Sequence, residues 1–179
     1  MLKWLLNRGA RTFGKKYNYD VSYMLEMNDQ APEAGARFAL FPLISQYRGP
    51  KAGQGVWAGA LLASTLEGDC GPCAQLCIDM ALEAGADASA IELCLKGEAE
   101  KAGDFGLGYR FAMASIKADT EADTLRQSIE DIHGPKTVIA ASFAAAAGRF
   151  YPVLKRGMGH GLACQKLRIG ADRIELAAA

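Results

Sequence analysis

The chain has 179 residues, half of them hydrophobic, which is enough to fill one core. Lys plus Arg and Asp plus Glu both number 20, so the formal net charge is zero. Aromatic residues make up 8%, and no basic run alternates with them as a base-stacking surface requires. These features argue against nucleic acid as a partner. A single domain over residues 1–179 is predicted.

Residues 1–20 predict an N-terminal helical arm. The apolar residues that share one face of this helix are Leu2, Leu5, Leu6 and Phe13. Lys3 and Asn7 interrupt the apolar run too early for a secretory signal, and no run of about 18 apolar residues follows. We expect the arm to pack on its own domain or on a second subunit, with an anionic membrane surface as the alternative. A cytoplasmic location is expected.

Helices are predicted along most of the chain. They cover 56–66, 72–84, 88–102, 105–118, 124–134 and 136–157. Pro72 suits a first helical turn, and Pro152 should kink or end the last helix near Phe150. The tail, 161–179, is predicted as a short extended pair or an arm that faces another subunit. Since no run alternates with period two, an all-α bundle is predicted.

Three of the five cysteines fall within eight residues, at the start of a predicted helix. Cys70, Cys73 and Cys77 have a spacing that aligns them on one helical face. Without a secretory signal, we expect no structural disulfide framework. Core packing is predicted for Cys77 and Cys94, which lie in apolar helical stripes, and for Cys164 near the tail.

Cys70 and Cys73 have the features of a redox pair. They flank Gly71-Pro72 where a helix begins, and unpaired N–H groups and the helix dipole stabilise a thiolate there. The tight first turn brings the two sulfurs within bonding reach. A thiol with a lowered pKa attacks an oxidant, and its neighbour then resolves the product to a disulfide. This chemistry needs no cofactor, and none is predicted.

Two other interpretations of the cysteines have to be weighed. Cys-Gly-Pro-Cys is found in thioredoxin-like proteins, but their fold needs strand–helix–strand units that this sequence does not offer. C-x2-C-x3-C is similar to part of an iron–sulfur motif, and zinc is the other metal that cysteines bind. Either metal needs a fourth ligand from a distant residue. The candidates for it are Cys94, Cys164, His133 and His160. A metal site is therefore the weaker interpretation.

Residues 40–160 resemble the AhpD-like, or carboxymuconolactone decarboxylase-like, superfamily of all-helical alkylhydroperoxidase-type proteins. The hallmark of that family is C-x-x-C-x-x-x-H at the start of a helix. Cys70 and Cys73 match its two cysteines, and Cys77 stands in the place of the histidine. Segments 77–97 and 125–159 are similar to the family's helix–turn–helix units. The resemblance implies an AhpD-like helical bundle that forms homotrimers or larger rings.

The resemblance also implies an activity, with peroxide or a disulfide as substrate and a reducing thiol protein as partner. In the family order, Cys73 attacks the substrate and Cys70 resolves the product. Position at a helix end argues for the opposite order, because the first cysteine of such motifs is usually the more accessible. With both cysteines present, a carboxymuconolactone decarboxylase activity is the weaker inference.

The sequence departs from the family at the proton relay. In peroxidase members a histidine and an upstream glutamate activate the second cysteine. Cys77 is a poor general base at neutral pH, and segment 51–66 contains no carboxylate. Glu67 and Asp69 are expected to raise the pKa of the thiols. Thiol–disulfide exchange therefore fits better than fast peroxide reduction, and a non-catalytic scaffold or binding protein is the alternative.

The two histidines have different predicted settings. His133 precedes Gly134-Pro135, so we expect it at a helix C-terminus, where positive charge is favourable. His160 lies in a glycine-rich turn and would approach the cysteines only from another segment or subunit.

Overall fold

The computed structural model describes residues 1–161, 166–169 and 172–175. Its α-helices are α1 (Leu2–Tyr17), α2 (Ser22–Gln30), α3 (Pro32–Leu40), α4 (Pro42–Ser45), α5 (Gln54–Glu67), α6 (Gly71–Glu83), α7 (Ala88–Leu95), α8 (Gly103–Lys117), α9 (Glu121–His133), α10 (Pro135–Ala147) and α11 (Phe150–Gly157). Short 3₁₀ turns lie at Lys51–Gly53 and Ala99–Lys101. The predicted all-α character is confirmed. The finer assignment to an AhpD-like bundle stays a prediction.

Helix α5 is the centre of the core. Every residue from Val56 to Thr65 is buried, as expected for a helix that is apolar on all sides. It packs most extensively on α8, then on α10 and α6. Cys94 of α7 is buried in the same core, which confirms its predicted role.

The glycines of α8 have a packing role. A Cβ atom at Gly59 of α5 would collide with the backbone carbonyl of Phe105, and one at Gly108 of α8 would collide with that of Val56. Glycine costs a helix about 1 kcal/mol relative to alanine. Here that cost is offset because the two backbones pack in direct contact, so α8 is helical despite its glycines.

The long apolar segment 136–157 forms two helices. Helix α10 ends at Ala147, and α11 begins at Phe150, with Pro152 in its first turn, where proline is tolerated. The interruption therefore lies slightly before the predicted position. It coincides with Gly148, where a Cβ would come within 2.8 Å of the Leu61 carbonyl oxygen of α5.

By length and composition, Pro135–Gly157 is also apolar enough to cross a membrane, with 44% of its most apolar window buried. The segment is not an unbroken apolar run, because Lys136, Arg149, Lys155 and Arg156 lie within it. In this fold α10 packs on α5, α8 and α9, as a core helix does. Core helices are often as long and as apolar as a membrane-spanning helix.

The described part of the tail forms an antiparallel pair of strands, β1 (Lys166–Ile169) and β2 (Asp172–Glu175), which is one of its two predicted forms. Strand β1 lies against α6, where the Gln75 side chain makes two hydrogen bonds, of 2.7 and 3.0 Å, with the backbone of Arg168. Cys164 lies outside the described residues.

The N-terminal arm is helical, as predicted, and packs on its own chain. Helix α1 contacts α2 and α3. At its C-terminal end, Lys16 Nζ and Tyr17 Oη each lie 2.7 Å from the Glu83 carboxylate of α6. Near its start, Lys3 Nζ lies 2.9 Å from Asp29 of α2. These contacts join α1 to the C-terminal end of α6 and to α2.

The contact of α5 with α8 predicts opposite effects for two Gly-to-Ala substitutions in helices. Gly59→Ala should lower the free energy of unfolding by about 1–3 kcal/mol or more, since the two backbones would have to separate. Gly9→Ala in α1 has open space around the new methyl group, so it should stabilise the protein by about 0.5–1 kcal/mol. Urea unfolding of both variants measures the difference. Equal stability would contradict the close crossing.

Candidate functional site

Cys70 and Cys73 lie at the start of α6, as the sequence predicts. Cys70 is the N-cap residue, with an extended backbone, and Cys73 is the third residue of the helix. Pro72 occupies the first turn. The described cysteines, Cys70, Cys73, Cys77 and Cys94, are free thiols. The structure therefore presents the pair in its reduced form.

The pair is covered, which the sequence did not indicate. Cys70 is 6% exposed and Cys73 is 3% exposed, in a cluster with Tyr19 and Tyr23. Tyr19 belongs to the turn after α1, and Tyr23 belongs to α2. A helix start is commonly open to solvent, but here α1, α2 and the turn between them lie over it.

The surroundings of Cys70 favour its thiolate. The largest effect on the pKa of Cys70 is the hydrogen bond from the Cys73 thiol, which lowers it. Burial opposes ionisation. The Cys73 backbone amide acts as a weaker donor, since it makes no regular capping bond, and the positive charges of Lys155 and Arg156 also help. Together they lower the pKa of Cys70 to about 6.

Cys73 is the protonated partner of the pair. Its pKa is raised, first because its proton is shared with the Cys70 thiolate and then because it is buried. The Tyr19 hydroxyl lies 3.4 Å from the Cys73 sulfur. Burial raises the pKa of Tyr19, so the phenol keeps its proton and acts as the donor. The two thiols therefore titrate as one unit that holds a single proton at neutral pH.

Cys77, in the place of the family's histidine, is half-buried against the core. Its sulfur lies 3.3 Å from the Thr65 hydroxyl oxygen. Burial raises the pKa of Cys77 to about 11, so it stays a neutral thiol at pH 7. This agrees with its expected weakness as a base.

Neither Glu67 nor Asp69 is among the principal groups that shift the pKa of Cys70, contrary to expectation. Both lie beside arginines: Glu67 is 2.8 Å from Arg149, and Asp69 is 3.8 Å from Arg156. Arg156 also donates hydrogen bonds to the backbone carbonyls of Gly68 and Asp69, at 2.6 and 2.9 Å. It therefore fixes the turn that leads into Cys70.

An apolar cavity of about 500 Å³ lies beside Cys73. Both Cys73 and Cys77 line it, and none of the described residues that line it is charged. Other lining side chains are Phe13, Tyr19, Tyr23, Phe38, Leu76 and Tyr151. Helix α1 supplies one wall. The cavity is suited to an uncharged molecule placed next to the Cys73 sulfur.

His133 is the last residue of α9, as predicted, and its Nε2 lies 3.0 Å from the Asp104 carboxylate. His160 lies 2.6 Å from the Glu26 carboxylate and 3.1 Å from the Ser22 hydroxyl. Its ring is 6.4 Å from that of Tyr23, so His160 reaches the outer side of the tyrosines that cover the pair. Within 1–161, 166–169 and 172–175, no three His, Cys, Asp or Glu residues group as metal ligands.

Sequence reasoning missed Tyr19, Lys155 and Thr65. Lys155 of α11 is only 3% exposed, with its amine over the rings of Tyr19 and Tyr23. A signal for it exists in the sequence. Lys155 follows Pro152 by three positions and Tyr151 by four, which puts a lysine on the inward face of an amphipathic helix. Nothing local in the sequence marks Tyr19 or Thr65.

Comparison with protein-family models, curated proteins and solved structures finds no match for this chain. The AhpD-like resemblance therefore depends on the cysteine motif and the order of the helices.

Because the two thiols share a proton, we expect a thiolate to form at a pH well below the usual pKa of a cysteine. Ultraviolet absorbance of the native protein should show one thiolate forming with a midpoint near pH 6. In Cys73→Ala the main donor is lost, so the midpoint should rise towards the ordinary value of about 8.5. Because the folded-state pKa of Cys70 lies below the unfolded value of about 8.5, its ionisation stabilises the fold near pH 8, and this contribution is lost as pH falls through about 6. At higher pH the raised pKa of Cys73 acts in the opposite direction, because the folded pair keeps a proton that the unfolded chain releases.

Cys94→Ala is the matched control for that titration, since burial raises the pKa of Cys94 to about 12. It should leave the midpoint unchanged. A wild-type protein without a thiolate below pH 8 would contradict the proposed electrostatics.

Proposed function

We propose that this protein is a thiol-dependent oxidoreductase that uses Cys70 and Cys73 as a dithiol–disulfide pair. The observation that carries the proposal is the position of both thiols in one buried cluster at the start of α6, with Cys70 as the N-cap residue and Cys73 as the third residue of the helix. The neighbouring Cys73 thiol also lowers the pKa of Cys70. A buried thiolate with a neighbouring thiol is the arrangement that forms a disulfide upon oxidation. No bound metal or organic cofactor is needed for this chemistry.

The reaction balances with a hydroperoxide as oxidant. The Cys70 thiolate attacks one peroxide oxygen, the O–O bond breaks, and the leaving alkoxide takes up a proton as an alcohol. The resulting sulfenic acid is attacked by Cys73. Its hydroxide leaves with the Cys73 proton as water, and a disulfide forms. One peroxide is thereby reduced to alcohol and water, and two thiols are oxidised to one disulfide.

A disulfide substrate follows the same course. The Cys70 thiolate attacks one sulfur of the substrate disulfide. The other half of the substrate leaves as a thiolate, and Cys70 is then joined to the first half in a mixed disulfide. Cys73 then attacks the Cys70 sulfur, the second thiolate leaves and takes up the Cys73 proton as a thiol, and the internal disulfide forms. A reducing thiol partner returns the pair to the dithiol, as the family resemblance implies, and a reducing compartment such as the cytoplasm suits this cycle.

The electrostatics favour Cys70 as the attacking residue, which reverses the order implied by the AhpD-like resemblance. Cys70 has the lowered pKa, while Cys73 holds the proton and is bound by Tyr19. The position of Cys73 on the cavity wall favours the family order. We give the charge more weight because the thiolate is the nucleophilic form.

Burial favours a small oxidant over a protein disulfide. The two sulfurs lie below α1 and α2, so a folded protein would reach them only if these helices moved. The apolar cavity has room for a small uncharged molecule beside Cys73, one helical turn from Cys70, without such a movement. An uncharged peroxide is therefore the favoured substrate within this proposal.

A homo-oligomer, a trimer or larger, is part of the same proposal. Exposed apolar side chains lie on α3, α4, α10 and α11. They are Leu40, Leu43, Ile44, Phe143, Phe150 and Val153. The rings of Phe41 and Phe150 stack at 4.0 Å, which joins α11 to the connection between α3 and α4. Such a surface suits contact with a second copy of the chain.

The second candidate is a non-catalytic scaffold or binding protein. Two observations favour it: both thiols are buried, and a thiol that stays neutral stands in the place of the family's histidine. In that case the apolar cavity would be the functional feature, and the cysteines would be packing residues.

Mild oxidation separates the two candidates. Treatment with an uncharged organic hydroperoxide, followed by alkylation and peptide mapping, should give a disulfide between Cys70 and Cys73. Cys94→Ala should behave in the same way, since Cys94 lies in the core away from the pair. Failure to form this disulfide would favour the scaffold.

The order of attack has its own test. In Cys73→Ala, dimedone should trap a sulfenic acid on Cys70, because the attacking thiolate remains and the resolving thiol is absent. Cys70→Ala should react much more slowly. A sulfenic acid that forms faster on Cys73 in Cys70→Ala would restore the family order.

A further inference from the structure

Helix α11 places a buried cation beneath the dithiol. The Lys155 side chain is 4% exposed, and its amine lies 4.9 Å from the ring centre of Tyr19 and 5.7 Å from that of Tyr23. Tyr19 in turn contacts the Cys73 sulfur at 3.4 Å. A chain of contacts thus runs from the ammonium group, over the tyrosine rings, to the pair.

A buried ammonium group needs compensating negative charge. The Asp20 carboxylate faces Lys155 at 3.9 Å, which is long for an ion pair. Asp20 is more than half exposed and accepts hydrogen bonds from the backbone amide and hydroxyl of Ser22, both at 3.0 Å. It is therefore a weak counter-ion. The Cys70 thiolate and the tyrosine rings supply the remaining negative potential.

We infer that Lys155 and Tyr19 are positioning residues for the dithiol. Tyr19 orients the Cys73 thiol by a hydrogen bond, and Lys155 holds the tyrosine rings while its charge stabilises a thiolate on either sulfur. This inference rests on the proposed redox function of the pair.

The other groups around the pair do not provide both a buried positive charge and a hydrogen bond to Cys73. Tyr23 is neutral because burial raises its pKa, and Cys77 keeps its proton for the same reason. Arg156 acts on Cys70, but its side chain is half exposed and is bound to the turn before the helix. His160 lies on the outer side of Tyr23, against Glu26. Lys155 is the buried cation that favours ionisation of both Cys70 and Cys73.

Tyr19 and Lys155 would assist the resolving step, in which Cys73 attacks Cys70. Cys73 must give up its proton as it attacks the oxidised Cys70 sulfur, and that proton leaves with hydroxide as water. As charge develops on the Cys73 sulfur, the Tyr19 hydroxyl donates to it and the ammonium group of Lys155 attracts it. Neither residue is consumed.

Thiolate titration of charge variants tests the inference. Lys155→Met keeps most of the length of the side chain but removes its charge, so the thiolate midpoint should rise by about one pH unit or more, an approximately tenfold loss of thiolate on the acidic side. Lys155→Arg should restore most of the wild-type midpoint. Lys117→Met, at the exposed end of α8, is the control and should change nothing.

Tyr19→Phe tests the other half of the inference. It removes the hydroxyl but leaves the ring. The thiolate midpoint of Cys70 should therefore change little, while the conversion of sulfenic acid to disulfide, in which Cys73 reacts, should slow severalfold. Circular dichroism establishes that each variant is folded. If Lys155→Met does not fold, Lys155→Gln replaces it.

The outcomes separate this inference from the proposed function. If the wild type forms the disulfide but Lys155→Met titrates like Lys117→Met, the role of Lys155 is overturned and the function stands. If Tyr19→Phe forms the disulfide at the wild-type rate, Tyr19 has no positioning role. If the wild type forms no disulfide, the function fails, while the midpoints still report whether Lys155 acts on the thiols.

Discussion

One proton shared by two sulfurs is the interaction on which the candidate site depends. Cys70 and Cys73 lie one turn apart at the start of α6, so one thiol donates to the other and the pair holds a single negative charge. The helix start contributes N–H groups to this charge, but the Cys73 thiol contributes more. The acidity of Cys70 is therefore a property of the pair.

Burial strengthens this interaction, and it also removes the water that would otherwise stabilise the thiolate. Beneath α1 and α2, little of the Cys70 surface is open to water, so protein groups must stabilise the thiolate. Lys155, Arg156 and Tyr19 lie around the pair and supply positive charge and a hydrogen bond. All three come from segments distant from the motif in sequence. The site is thus assembled by packing of the N-terminal arm and α11 around α6.

The core holds these segments in place. Helix α5 is buried on all sides and contacts α8 through glycines, which lets two backbones approach closely. The same helix contacts α6, and its Thr65 hydroxyl reaches the Cys77 sulfur. Gly148, between α10 and α11, packs on α5 and so sets where α11 begins. The break between α10 and α11 thus lies against the core helix, and Lys155 is on the buried side of the helix that follows it.

The sequence by itself determined the all-α class, the start of α6 at the cysteine pair and the core role of Cys94, because helical periodicity, Pro72 and apolar stripes are local signals. It could not determine the cover over the pair, the positions of arginines beside Glu67 and Asp69, or the cavity, since each of these arises from residues far apart in the chain. Lys155 illustrates the difference. Its position on an inward helical face is visible in the sequence, but only the tertiary structure places that face beneath two thiols, because electrostatic effects depend on distance through space.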